Sequence, residues 1–552
     1  MARRNENRTW TRRIVQAVSL GLFIYLLAAT KWPLPETLLP KDLFLRLDPL
    51  VTTLIPVSAR TWIGNLWPGL LVMALSLAIG RIFCGYLCPM GITIDIFNAI
   101  GRFFKISIKL GVKNTQNFKK IKYLLLVLTA VAAICGVNLV LWFSPMALTT
   151  RFYSIVLHPI VLESMDAGVA LASGLGLDSF QYTAVSSRQF ATVTFMVFFF
   201  ALIFMLETIR PRFWCRYLCP SGAIFALLSR ASIWRRQAGH KCNACGRCRT
   251  GCPTAAIGPG GRHSDPSECL ACRHCLDICP ANALSFKAAI PAFGSKTSET
   301  AASPLPSRRA FMGAAILGTL IASVQYADAR SLLRSKGGRG DFWPEDLVRP
   351  PGSLPEAEFL QRCIRCGQCL KACPSNGLQP LSFKTGLAGF ASPVLKARRG
   401  PCEPECNTCG QICPSGAISP LSLEDKKWAK IGTAVVVQNR CLAWAEDRRC
   451  MVCQETCPYG AVKVVSRQDS QIPVPVVNAL RCYGCGYCEQ HCPVRLPAIA
   501  VQPLNALRLK NGQYRKAALE AGLTLKPGEA ASESYELDDD DLPPGFLKIQ
   551  QH

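Results

Sequence analysis

Apolar residues in this chain are gathered into blocks. Four of them, Ile14–Thr30, Trp62–Phe83, Tyr123–Phe143 and Phe190–Ile209, come close to the about 20 residues that cross a bilayer core. Basic residues collect at their ends. The opening MARRNENRTWTRR carries five arginines, and the loop GRFFKISIKLGVKNTQNFKKIK after the second block holds seven Lys or Arg and no acid. RPRFWCRY follows the fourth block. Because cytoplasmic flanks are enriched in Lys and Arg, the pattern predicts four spans with both ends inside, the first one uncleaved. Ile155–Leu177 is interrupted by His158-Pro159, Glu163 and Asp166, and reads as an external loop or re-entrant piece in which His158 is structural or interfacial.

A milder apolar run, Phe311 to Val324, lies in mid-chain. Arg308-Arg309 precede it and Ala327-Asp328-Ala329 follow, which is the charged, apolar, small-residue order of an export signal. SRRAFM resembles the twin-arginine type, which carries proteins that fold around cofactors before crossing. After the polar linker GSKTSETAASPLPS, the expectation is a fused leader that became a fifth anchor, with a linker helix packed on a ferredoxin domain as the other reading. The tail from Pro503 is polar and includes an acidic run, ELDDDDLPPG, read as solvated.

The formal charge of +26 would suggest nucleic acid in a soluble protein. Here the cations flank apolar blocks, so no nucleic-acid partner is expected. The 29 cysteines narrow the picture further: 24 fall into six quartets, four into two CxxxCP motifs, and Cys135 stands apart, read as a buried small hydrophobe. Disulfide frameworks rarely repeat this regularly.

The two CxxxCP motifs lie in an internal repeat, RIFCGYLCPMG (Arg81–Gly91) and RPRFWCRYLCPSG (Arg210–Gly222). Two helical hairpins related by an axis along the membrane normal would bring Cys84, Cys88, Cys215 and Cys219 together as an additional redox or metal site near a quinone head group. The competing reading is that each motif only shapes a helix end, with Pro as the breaker.

CNACGRCRTGCP supplies Cys242, Cys245, Cys248 and Cys252, and CLACRHCLDICP supplies Cys269, Cys272, Cys275 and Cys279. Both fit the C-x2-C-x2-C-x3-C-P run of two-cluster ferredoxins, in which the fourth Cys of each run ligates the other cluster. Cys242, Cys245, Cys248 and Cys279 are therefore assigned to one cluster, and Cys269, Cys272, Cys275 and Cys252 to its neighbour. Zinc ribbons use two separated CxxC pairs, which a third Cys in the same loop disfavours. Four more quartets follow the mid-chain run: Cys363, Cys366, Cys369, Cys373; Cys402, Cys406, Cys409, Cys413; Cys441, Cys450, Cys453, Cys457; and Cys482, Cys485, Cys488, Cys492. Their fourth cysteines could be exchanged sequentially or in a nested order.

Together these motifs resemble two electron-transfer proteins of periplasmic nitrate reductase systems joined end to end. Residues 1–295 look like a NapH-type membrane ferredoxin, whose membrane part NosR-type proteins share, and residues from 307 like a NapG or MauM polyferredoxin. The expected fold is multidomain: an α-helical membrane bundle of four spans plus a fifth, with small α+β bacterial-type ferredoxin domains carrying six 4Fe–4S clusters. Expected boundaries are 1–232 for the membrane domain, 233–295 for a cytoplasmic two-cluster ferredoxin, 296–345 for the linker and leader, 346–505 for a four-cluster domain in the periplasm, and 506–552 for a polar tail. By this resemblance the nested exchange is expected. It also implies a multi-pass inner-membrane relay from the quinol pool to a periplasmic molybdenum or other reductase, or to a c-type cytochrome. The chain would then be a quinol dehydrogenase subunit rather than a stand-alone enzyme, with quinol as its mobile substrate and no catalytic residue of its own. An accessory, maturation or redox-sensing factor for a partner metalloenzyme, or an all-cytoplasmic polyferredoxin, are the alternatives. No CxxCH occurs, so no c-type haem is expected.

Overall fold

The computed structural model describes residues 3–103, 118–174, 189–190, 192–288, 305–334, 347–383, 386–467 and 470–525. Most of the basic loop, most of the linker and the acidic tail expected from the sequence lie outside the described residues.

Helices dominate the first 230 residues. Among the described residues, three helical stretches are long and apolar enough to cross a membrane: Trp10–Ala28, Pro145–Leu171 and Arg308–Asp328. Three of the expected spans are shorter helices. Pro68 opens the helix Trp67–Ile79 and Gly80, at φ 86°, ends it. The run Tyr123–Phe143 breaks where Gly136 takes φ 81°, a left-handed position that stops a helix, leaving Ile121–Ile134 and Val140–Phe143. The fourth becomes Val193–Ile209. The segment read as an external loop or re-entrant piece is helical. Pro145–Arg151 continues through a π-helical turn, Phe152–Leu157, into His158–Gly174, and the wide turn sits where Pro159 would disrupt a regular ladder. Cys135 is exposed rather than buried, because its helix ends at Ile134.

Arg308–Arg334 forms one helix that continues through Ala327 and Asp328. It lies along Ile121–Ile134 through small residues: a Cβ on Gly318 would stand 2.8 Å from the Leu128 carbonyl, and Ala314 and Ala322 are buried. Such small residues let helices approach closely in lipid. Its other faces expose Phe311, Met312, Ile316, Leu320 and Val324.

Two cysteine-rich modules dock on these helices. The first closes with an antiparallel strand pair, Trp234–Ala238 against Leu284–Ala288. The second, residues 347–525, has three such pairs, Leu378–Pro380 with Pro393–Leu395, Thr433–Val436 with Ile499–Gln502, and Val462–Arg467 with Ser470–Val477. Arg349 and Arg508, from its two ends, both hold the buried Glu356, at 2.6 and 2.9 Å.

The modules sit at opposite ends of the same helices. The first module's Glu268 meets Lys122 at 2.6 Å and Arg81 at 3.2 Å, all three at most 1 % exposed. The second reaches the other helix ends: Asn138 donates to the carbonyls of Gln361 and Cys363, Arg151 to that of Arg365, and Lys371 to that of Thr30. Trp142 stacks on Phe390 with centroids 5.6 Å apart, and Asp328 accepts from the Ala388 N–H at 2.9 Å.

Candidate iron–sulfur sites

The quartets wrap their sites by a shared local rule. In each regular loop the residues on either side of the second cysteine take left-handed backbone angles: Ala244 and Gly246, Ala271 and Arg273, Arg365 and Gly367, Gly484 and Gly486. This turns successive thiols to one side. Non-glycine residues there carry local strain of about 1 kcal/mol or more, which a bound cluster offsets. At Gly484 the demand is also spatial, since a Cβ would stand 2.7 Å from the Gly432 backbone.

After each loop a short helix begins, and these helices pack in pairs: Arg247–Thr250 beside His274–Asp277, Gln368–Ala372 beside Thr408–Gln411, and Val452–Glu455 beside Tyr487–His491. The pairing decides which loops share ligands. One cavity is lined by Cys363, Cys366, Cys369 and Cys413, and the next by Cys373, Cys402, Cys406 and Cys409. The third and fourth are lined by Cys441, Cys450, Cys453 and Cys492, and by Cys457, Cys482, Cys485 and Cys488. The exchange is therefore sequential, and the nested order expected from the resemblance is corrected. The reason is that consecutive quartets are joined by connections that fold back on themselves, as in the pair Leu378–Pro380 with Pro393–Leu395. In the first module Cys269 lies within electrostatic reach of Cys272, Cys275 and Cys252. Cys248, Cys252, Cys275 and Cys279 border one apolar cluster.

A fit to 4Fe–4S clusters follows from the donor sets: four thiols around each cavity of the second module, mostly apolar walls, and backbone amides aimed at sulfur. Ala256, Ala461 and Ala498 donate to Cys252, Cys457 and Cys492 at 3.3–3.4 Å. Such hydrogen bonds help set a cluster's potential.

The four cavities of the second module form a series. The Cys366 site is nearest the helices, with Arg151 beside it. The Cys402 site adjoins the Cys485 site through the Cys402 N–H to Cys485 carbonyl bond of 2.8 Å, and Tyr459 and Tyr483 stack there with centroids 5.0 Å apart. The Cys450 site shares its two quartets with the Cys485 site, and Glu446 and Arg448 in its own loop are exposed.

The CxxxCP cysteines also converge. Each motif forms a π-helical turn, Phe83–Leu87 and Trp214–Leu218, rather than the regular turn that an i, i+4 spacing suggests. Cys88 lies within electrostatic reach of Cys84, Cys215 and Cys219. Two residues at this site escaped the sequence reading although the repeat contains them. Arg81 and Arg212 each stand three residues before their cysteine, and each is 1 % exposed. His158, by contrast, lies in the Pro145–Leu171 helix, outside this convergence.

Family profiles described as 4Fe–4S binding domain match residues 63–107, 191–238 and 360–379, and one described as 4Fe–4S dicluster domain matches 448–496. The methylamine utilization ferredoxin-type protein MauM of Methylophilus methylotrophus is 34% identical over 212 residues, 38% of this chain and 92% of its own length. The ferredoxin-type protein NapG of Escherichia coli is 33% identical over 175 residues, 30% of this chain and 75% of its own. MauM of Methylobacillus flagellatus is 31% identical over 221 residues, 38% of this chain and 89% of its own.

Proposed function

Because the chain belongs to the family of MauM and NapG ferredoxin-type proteins, whose iron–sulfur chemistry is electron transfer, we propose that it is a membrane-anchored relay between the quinol pool and a periplasmic reductase or c-type cytochrome. The observation that carries this reading is the docking of two cysteine-rich modules at opposite ends of one set of apolar helices. Bound 4Fe–4S clusters, one per quartet and six in all, supply sites that take up and release single electrons. The chain's own residues place those sites in a line, hold them apart from water and fix the order of passage. The first module faces the cytoplasm and the second the periplasm, with Arg308–Arg334 as a retained leader helix joining them. Clusters held at the Cys366, Cys402, Cys485 and Cys450 sites would supply one-electron carriers in that order along the second module, with the Cys450 end as the place for a partner to dock. Inverted membrane vesicles containing the protein test this: adding a quinol should bleach cluster absorbance within the mixing time. Absence of bleaching with intact clusters sinks the proposal. Labelling of cysteines introduced between residues 505 and 525 should occur from the periplasmic side only.

A further inference from the structure

Two buried arginines without an acid of their own meet at the loop of the Cys366 site. Arg151 comes from the helix Pro145–Arg151, and Arg365 stands between Cys363 and Cys366. We propose that this pair sets the reduction potential of the Cys366 site, so that the helical part of the chain, through Arg151, tunes the second module where the two meet. The inference rests on the reading that this site holds a cluster, and is independent of the direction of electron flow.

Three observations carry it. The first is placement. Arg365 lines the cavity formed by Cys363, Cys366, Cys369 and Cys413. The Arg151 Nε donates to the Arg365 carbonyl at 2.9 Å and its Nη2 to the Leu141 carbonyl at 3.3 Å, and both Cys366 and Cys363 lie within its electrostatic reach. The two arginines are 1 % and 5 % exposed.

The second is charge without a counter-charge. A guanidinium keeps its proton in proteins, and leaving one buried and uncompensated is strongly destabilising. Among the described residues, Arg151 and Arg365 donate to backbone carbonyls alone, those of Arg365, Leu141, Asn138 and Ala388. The charges that bear on Arg151 are Cys366, Arg365 and Cys363, with no carboxylate among them. Glu356 is the carboxylate that bears on Arg365, and Arg349 and Arg508 already hold it. Arg151, Arg349, Arg365 and Arg508 thus stand against one acid. The Arg365 Nε–H is also buried with no hydrogen-bond partner among the described residues.

The third is backbone cost. Arg365 takes φ 53°, and the residues at the same step of the other regular loops are Ala244, Ala271 and Gly484. The sister loops make this left-handed turn with the smallest side chains, whereas here a long cation carries the strain. The turn itself does not call for an arginine; the charge does.

The effect on the site follows from its charge. Taking up one electron adds one negative charge at the thiolates, with no proton taken and no bond made or broken. Fixed positive charge nearby favours the more negative state, so the pair raises the potential.

Potentiometric titration of the full-length protein in detergent, read by electron paramagnetic resonance, tests the pair. In Arg151→Gln one component should become harder to reduce, its reduced-to-oxidised ratio at a fixed poise falling about tenfold, or about 59 mV for one electron. The other components and the iron content should keep their wild-type values. Arg365→Gln should move the same component the same way. Arg151→Lys, which keeps the charge and gives up the planar fork, should leave it near its wild-type position. Cys369→Ala should remove that component, which identifies it. Unshifted titrations in both glutamine variants at full iron content overturn the proposal. So does loss of iron in both, or an equal shift in Arg151→Lys, because either marks a packing role. If Arg151→Gln alone fails to fold, Arg365→Gln decides. An undiminished iron content in Cys369→Ala instead overturns the reading that the site holds a cluster, and the proposal falls with it.

Discussion

The two ferredoxin modules are made from one motif and differ in what surrounds it. In the first, Cys248 is the one buried cysteine of eight and Cys245 is exposed. In the second, seven of sixteen are buried, including all four of Cys482, Cys485, Cys488 and Cys492. Their attachments differ too. The first is pinned by a buried charged triad, the second by backbone carbonyls and an aromatic stack. Ligand number and spacing are nearly constant, so solvent access and hydrogen bonding are the properties that distinguish the sites.

The contrast can be broken most severely at the ligands. Cys485→Ala should remove about four irons and expose the second module to protease, because its cluster fills a buried site. Cys245→Ala should cost the same iron and leave the second module resistant; equal protease sensitivity would erase the distinction. Next in size is the charged pin. Glu268→Gln leaves Arg81 and Lys122 buried without a charged partner, at about 3–5 kcal/mol, and should free the first module in differential scanning while the second melts unchanged. A smaller effect concerns pH. Burial alone would push the Glu356 carboxyl up, but Arg349 and then Arg508 hold it below the ordinary 4.5. Its contribution to the second module is therefore complete above about pH 4.5 and lost as pH falls through the lowered value. The Glu356→Gln variant should flatten that acid limb of the melting curve. Smallest is Asp328→Ala, which removes one charge-assisted bond to Ala388 and should cost about 1–2 kcal/mol, read as earlier local exchange at residues 386–390.

Much of this was written in the cysteine spacing. Six quartets, two half-motifs and their internal symmetry follow from reading residues in order, because ligands for one cluster lie mostly within one loop. The exchange partner of each fourth cysteine did not follow, since it depends on which short helices pack side by side. Span lengths were misjudged where Gly80 and Gly136 stop helices inside apolar runs, and hydropathy averages over such single positions. The docking triad was hidden for a different reason. Glu268 looks like an ordinary acid beside Cys269 until Arg81 and Lys122, more than a hundred residues earlier, close on it. Arg81 and Arg212 were visible in the aligned repeat, at equal offsets from Cys84 and Cys215, and could have been picked out on that basis.

The helix Arg308–Arg334 has a kinetic consequence. It joins both modules covalently and is held at Gly318 along one side and at Asp328 near its end. Two separate ferredoxins must find each other at a rate set by their concentrations. Here the second module's local concentration near its docking surface is fixed by a short tether, in the millimolar range or above. On the proposed relay, transfer between the modules would be first order in the chain and indifferent to how sparsely the protein is expressed.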